Sequence, residues 1–137
     1  MHLFIDTGNA AFSGENHAPE LARIIKELAG ALSDYSEEAC QTERALRDIN
    51  GNTVGWVNQG AQPAESRPDR LVLEIRTGNA AFDDSNFGPE LSSILSDAAL
   101  KIEQGFDKFN LRDTNGNIVG EVLDIPVEPI DTDRPVN

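Results

Sequence analysis

Lysine is scarce in this chain of 137 residues, cysteine, tryptophan and tyrosine occur once each, and long apolar runs are missing. Each shortage excludes something. Cys40 stands alone, so no internal disulfide can form, which agrees with a reducing cytoplasm. The only lysines are Lys26, Lys101 and Lys108, too few and too scattered to build a phosphate-binding surface, so direct nucleic-acid binding is not expected. The longest apolar runs fall far below the roughly 18 residues that a membrane span requires. The opening residues pass straight into the strand-like Leu3-Phe4-Ile5 with no basic segment ahead of a long apolar stretch, so no secretory signal is expected. Histidine occurs twice, as His2 and His17, and no nucleophile, base and orienting acid recur at a usable spacing. The expectation is a protein that is not an enzyme and needs no cofactor.

What the chain has in abundance is negative charge. The formal net charge is −13 and the sequence pI about 4.3. Residues 1–57 hold nine acids and four bases, residues 71–122 again hold nine and four, and residues 123–137 hold four and one. A field of this sign repels nucleic acid and anionic membranes and speeds encounters with basic protein surfaces. The plainer reading is a solvated surface that keeps the protein soluble.

The chain is also written twice. Thr7-Gly8-Asn9-Ala10-Ala11-Phe12 returns as Thr77-Gly78-Asn79-Ala80-Ala81-Phe82, and Leu46-Arg47-Asp48-Ile49-Asn50-Gly51-Asn52 returns as Leu111-Arg112-Asp113-Thr114-Asn115-Gly116-Asn117. The second block returns five residues sooner than the first, which places a length change around Asp34 to Gln41. Each copy reads as strand, turn, helix and hairpin. Leu3 and Ile5, like Leu73 and Ile75, have the two-residue spacing of a strand. Ala18-Pro19-Glu20 and Gly88-Pro89-Glu90 open helices, with proline in the first turn and glutamate at the positive dipole end. Leu21, Ile24, Ile25, Leu28 and Leu32 then follow the helical period, as do Leu91, Ile94, Leu95, Ala98 and Ile102. Asn50-Gly51 and Asn115-Gly116 signal two-residue type I′ hairpins, with strands near Glu43 to Ile49, Asn52 to Val57, Phe106 to Thr114 and Asn117 to Leu123.

These elements predict an α+β fold of two tandem βαββ repeats related by a pseudo-twofold, with helices on one face of each antiparallel sheet. Repeat one spans 1–57, a linker 58–70, repeat two 71–123, and an acidic, proline-rich tail 124–137. A unit of this size sits near the lower limit for an independent core, so the two are expected to pack together. They would either join edges into one six-stranded sheet or stack their sheets face to face. The duplication reads like a fused homodimer, and a further homodimer is possible.

Few residues carry chemistry. The Asp48 to Asn52 loop and its twin superficially resemble a calcium loop, but glycine stands at the fourth position instead of the sixth and no glutamate stands at the twelfth, so no metal is expected. The Thr-Gly-Asn loops read as fixed turns plugged by Phe12 and Phe82 in preference to anion nests, and His17 as a contact at the start of its helix. Differences between the copies say more. If Leu3 and Ile5 face the helix together with Thr53, Gly55 and Val57, then Phe4 and Trp56 share the opposite face, where the second copy has Glu74 and Glu121. An aromatic pair there is an interface candidate unless the other repeat or the tail covers it.

The string Thr-Gly-Asn-Ala-Ala-Phe, a Pro-Glu-Leu helix start, and Leu-Arg-Asp-x-Asn-Gly-Asn-x-Val-Gly together resemble a group of small proteins encoded by bacteriophages and plasmids, which look like single copies of this unit. The resemblance covers both repeats without linker or tail, implies a mobile-element origin, and carries no functional residues across. In composition and setting the chain is also similar to phage inhibitors of host defence, including anti-CRISPR and anti-restriction proteins that imitate the charge of DNA. That second resemblance implies a non-catalytic protein of the host cytoplasm bound to the basic surface of a nucleic-acid-binding protein. The expected contact residues are Phe4, Trp56, Asp34, Glu37, Glu38, Glu43, Asp83, Asp84, Asp97, Glu103 and Asp107. The alternative is a structural or small-ligand-binding oligomer with a pocket at the repeat junction, lined by Phe4 and Trp56.

Overall fold

The computed structural model describes residues 1–35, 38, 43–58, 64–106 and 108–124, the side chains of Asp84 and Asp124 excepted. Glu37, Cys40, Asp107 and the tail beyond Asp124 lie outside the described residues. In chain order the elements are β1 (His2–Asp6), α1 (His17–Leu32), β2 (Arg44–Arg47), β3 (Thr53–Asn58), β4 (Arg70–Ile75), α2 (Phe87–Glu103), β5 (Asn110–Arg112) and β6 (Ile118–Asp124). Two short 3₁₀ turns precede each helix, Ala10–Phe12 with Gly14–Asn16 and Ala80–Phe82 with Asp84–Asn86.

The strands form one six-stranded antiparallel sheet in the order β2-β3-β1-β4-β6-β5. Of the two arrangements left open by the sequence, edge joining is the one adopted. The seam is the β1–β4 ladder, where Leu3 lies opposite Leu73 and Ile5 opposite Leu71. These four side chains are at most 1% exposed and point toward both helices. Each fully buried aliphatic side chain there contributes about 1.5–3 kcal/mol. Leu21, Ile24, Ile25, Leu28 and Leu32 of α1 meet Leu91, Ile94, Leu95, Ala98 and Ile102 of α2 in the same core. The helices also pack on each other: a Cβ added to Gly88 at the start of α2 would lie 2.5 Å from the Leu32 carbonyl oxygen at the end of α1.

Three local readings of the sequence are corrected. The hairpins are not two-residue type I′ turns. The Gly51 N–H bonds to the Asp48 carbonyl at 3.0 Å, the Asp48 N–H to the Asn52 carbonyl at 2.9 Å, and Gly51 sits at φ +85°. That is a three-residue loop, a turn followed by a left-handed glycine, and Gly116 does the same at φ +85°. The side chains of Asp48 and Asp113 hold the tighter alternative off by binding two loop N–H groups each.

The second correction concerns the faces of β3 and β6. Leu46 pairs with Gly55 and Arg47 with Thr53, which leaves Val54 as an extra residue in a bulge. The bulge turns Val54 into the core at 7% exposure and Thr53 outward. Val119 and Ile118 repeat the exchange, at 3% and 47% exposed. Gly55 and Gly120 are where this geometry needs glycine, because an added Cβ would stand 1.9 Å from the Phe4 carbonyl oxygen and 2.1 Å from that of Glu74. The third correction is at Phe106, which is 51% exposed and precedes β5 instead of opening it. Gly105 at φ +86° ends α2, with its N–H on the Ile102 carbonyl and the Phe106 N–H on that of Lys101. This is a Schellman cap, and it ends the helix ahead of β5.

Candidate functional site

The polar residues that recur in both halves are consumed in tying turn, helix and hairpin together within each half. The Asn9 side-chain oxygen accepts from the Ala11 N–H at 3.0 Å, and its amide nitrogen donates to Asp48 at 2.7 Å. Asp48 also accepts from the N–H groups of Asn50 and Asn52, both at 2.9 Å. Glu20 reaches from the first turn of α1 to the Ile49 N–H at 2.8 Å and is bracketed by Arg23. The second half repeats this with Asn79 on Asp113 at 2.8 Å and Glu90 on the Thr114 N–H at 2.7 Å. Thus Thr-Gly-Asn, Pro-Glu-Leu and Leu-Arg-Asp-x-Asn-Gly-Asn are three parts of one hydrogen-bonded knot. Burial raises the pKa of Asp48 and Asp113, but the hydrogen bonds from the two asparagines and the loop backbone outweigh it, and both carboxyls end below the ordinary aspartate value.

Acceptors this fully occupied have little left for a substrate or cation. Among the described residues, no three His, Cys, Asp or Glu side chains are grouped to hold a metal ion. Phe12 and Phe82, 0% and 2% exposed, plug the core beneath the Thr-Gly-Asn turns. His17 is buried at the first position of α1; its counterpart Phe87 meets Phe82 edge-on, with ring centres 5.9 Å apart.

What remains for recognition lies on the sheet face away from the helices. Phe4 and Trp56 are direct cross-strand partners there, as their spacing implied. Trp56 is 46% exposed, whereas Phe4 is half-buried with the Arg70 guanidinium 4.3 Å from its ring centre. Asp6 holds that guanidinium through two bonds, at 2.6 and 3.1 Å, and the Glu65 carbonyl adds a third. The hydrogen bond to Asp6 raises the Arg70 pKa further against the opposing effect of burial. Beside this group runs an acidic row in which Glu74 lies opposite both His2 and Glu121. Like-charged residues facing each other across strands are unfavourable unless something meets them. Here His2 comes within 3.4 Å of Glu74 and Arg76 within 3.9 Å.

The other expected contact residues are elsewhere. Asp97 and Glu103 belong to α2, in the helical layer behind the sheet, and are paired with Lys101 at 3.3 Å and Lys26 at 2.8 Å. Asp34, Glu38, Glu43 and Asp83 are exposed and make no ion pair among the described residues. The set is therefore spread over both sides of the molecule, and among its described members Phe4 and Trp56 are cross-strand partners.

Sequence reasoning missed the Arg70 cap on Phe4. Its signal was the alternation of Arg70, Val72 and Glu74 in β4, which places Arg70 on the Phe4 face once the two halves share a sheet. Reasoning from sequence also missed the cleft between α1 and β2, lined by Ile24, Leu28, Arg44 and Arg47 among others. At the seam itself the β1–β4 ladder runs directly from half to half. No helix among the described residues is long and apolar enough to cross a membrane. No protein-family model, curated protein or solved structure matches the chain.

Proposed function

We propose that this is a non-catalytic binding protein that occupies the basic, nucleic-acid-binding surface of another protein, and that its source is a phage or other mobile element acting on host defence. The observation that carries this reading is the charge of −13 joined to the sheet face away from the helices, which bears exposed Trp56 at one side and the facing pair Glu74 and Glu121 at the other. Carboxylates that make no ion pair among the described residues, at Asp34, Glu38, Glu43, Asp83 and Glu121, extend the negative potential around the molecule. Anchoring by an aromatic side chain within such a field combines hot-spot burial with electrostatic steering. A non-catalytic role is supported by the recurring carboxylates, Asp48, Asp113, Glu20 and Glu90, being spent on backbone hydrogen bonds.

We read the architecture behind this surface as two βαββ repeats, residues 1–57 and 71–123, related by a pseudo-twofold through the β1–β4 seam. Matching knots, bulges and left-handed glycines in the two halves support that reading. A protein that imitates a DNA-binding partner's substrate would work in the cytoplasm of the host bacterium. The test is displacement of labelled duplex DNA from a basic host-defence nuclease, either a restriction endonuclease or a CRISPR effector. The expected result is stoichiometric release of the DNA on adding the chain. DNA that stays bound at saturating chain, across the host's nucleases, would overturn the proposal.

A further inference from the structure

An open cleft of about 230 Å³ lies between α1 and β2, lined by Ile24, Glu27, Leu28, Ala31 and the whole of β2, Arg44 to Arg47. β2 is the last strand of the sheet, so among the described residues it pairs with β3 on one side and with no strand on the other. An edge strand beside a helix, with a trough between them that has both apolar and charged walls, is an arrangement that can take up an extended peptide as an added strand.

The other end of the sheet serves as an internal reference. The counterparts of Ala31 and Arg44 are Lys101 and Phe109. There the Phe109 ring packs against the core, with the Lys101 ammonium 5.4 Å from its centre and bonded to Asp97 at 3.3 Å. Ring and lysine occupy at that end the positions left open at the first. The exchange of Leu28 for Ala98 goes with this filling, since the smaller residue leaves room for a ring.

Charge identifies the occupant. Among the described residues, Arg44 and Arg47 make no ion pair with a carboxylate. Arg44 stacks on Tyr35 at 5.3 Å and donates to its hydroxyl, while Arg47 donates to the Gly51 carbonyl. Among the described residues the Arg44 Nη1 is buried with no hydrogen-bond partner, and Glu27, the carboxylate that lines the cleft with it, is held by Arg23 at 2.8 Å, so the unmet charge in the cleft is positive. We propose that β2 and the α1–β2 cleft bind an extended peptide segment of a partner protein by strand addition. Apolar side chains of the segment enter between Leu28 and Leu46, the carboxylates on its other face meet Arg47, and a carboxylate at its end meets Arg44. This site does not depend on the acidic-surface reading, since it uses the opposite charge and a different side of the fold.

The test is calorimetric titration of the full chain with two peptides of roughly six residues, the length of an ordinary strand, one alternating Val with Glu and one alternating Val with Lys. The Glu peptide should saturate and bind about tenfold tighter than the Lys peptide, with NMR shift changes at Arg44–Arg47 and Leu28 and none at Asn110–Arg112. The triple variant Leu28→Ala, Ala31→Lys, Arg44→Phe copies the filled end and should lose binding while keeping its circular dichroism. Arg47→Glu, at an exposed position with little risk to folding, should reverse the preference between the peptides. Equal affinity for both, no saturation by either, shift changes away from the cleft, or a preference unmoved by Arg47→Glu would each overturn the proposal.

Discussion

The first half of the molecule, residues 1–58, and the second, residues 70–124, share a framework and differ in what they offer to solvent. Both carry the Asn–Asp–Glu knot, the left-handed loop glycine and the bulge over a tight glycine. On the sheet face away from the helices, however, Phe4 and Trp56 of the first stand against Glu74 and Glu121 of the second. At the outer edges, Ala31 and Arg44 stand against Lys101 and Phe109. The positions that hold the backbone are repeated, and those that face outward have diverged. This is the pattern expected when one chain needs a common scaffold under two unlike surfaces.

The strongest way to break the comparison is at the bulges. Gly55→Ala and Gly120→Ala each force a Cβ onto a neighbouring carbonyl oxygen, so each is expected to lose about 3 kcal/mol or more, measured by urea unfolding. A tolerant Gly55 with an intolerant Gly120 would show that the halves are built differently after all. Next in size is Gly88→Ala, whose Cβ would meet the Tyr35 and Leu32 carbonyl oxygens at 2.4 and 2.5 Å. It should cost about 2 kcal/mol, whereas Ala18→Gly at the matching position should cost about 1 kcal/mol or less. Equal losses would place the helix contact elsewhere.

Asn9→Ala and Asn79→Ala should each cost about 1–2 kcal/mol, since each removes a turn cap and leaves a buried carboxylate short of a donor. Their near equality under thermal unfolding sharpens the comparison. The carboxylates they serve give a pH signature of known sign. Asp48 and Asp113 have folded-state pKa values below the ordinary aspartate value. Their contribution is complete above about 3.9 and is lost as pH falls through the lower folded-state values. Stability should therefore fall as acid is added in that range, and a protein carrying Asp48→Asn with Asp113→Asn should start less stable and fall less steeply. The smallest effect on folding is expected for Trp56→Ala, about 1 kcal/mol or less at a residue 46% exposed. The same change should weaken partner binding well beyond that.

Much of the fold was legible because its signals are local. Helical periods in Leu21 to Leu32 and Leu91 to Ile102, and strand alternation in Leu3 and Ile5, depend on neighbours in the chain. The loop type was misread because Asn-Gly favours the tighter turn only when no upstream acid competes for the loop N–H groups, and Asp48 does compete. The faces of Thr53 and Val54 were misread because a bulge breaks strict alternation without changing composition. Tertiary contacts of the site were harder to see. Phe4 and Trp56 followed from parity, but Arg70 over Phe4 depends on a seam between segments more than 60 residues apart. The α1–β2 cleft is visible only as a side chain not filled in, when Arg44 is set against Phe109.

With one tryptophan in the chain, fluorotryptophan labelling gives a single NMR signal from the sheet face away from the helices. Titrating the labelled chain with the DNA-binding nuclease at about 0.05 M and then about 0.5 M salt tests charge and face together, because salt at the higher level screens exposed charges beyond a few ångströms. The account predicts a shifted Trp56 signal at low salt that returns to its free position as salt rises. A complex that leaves the signal where it was, or one that holds unchanged through the high-salt step, would contradict it.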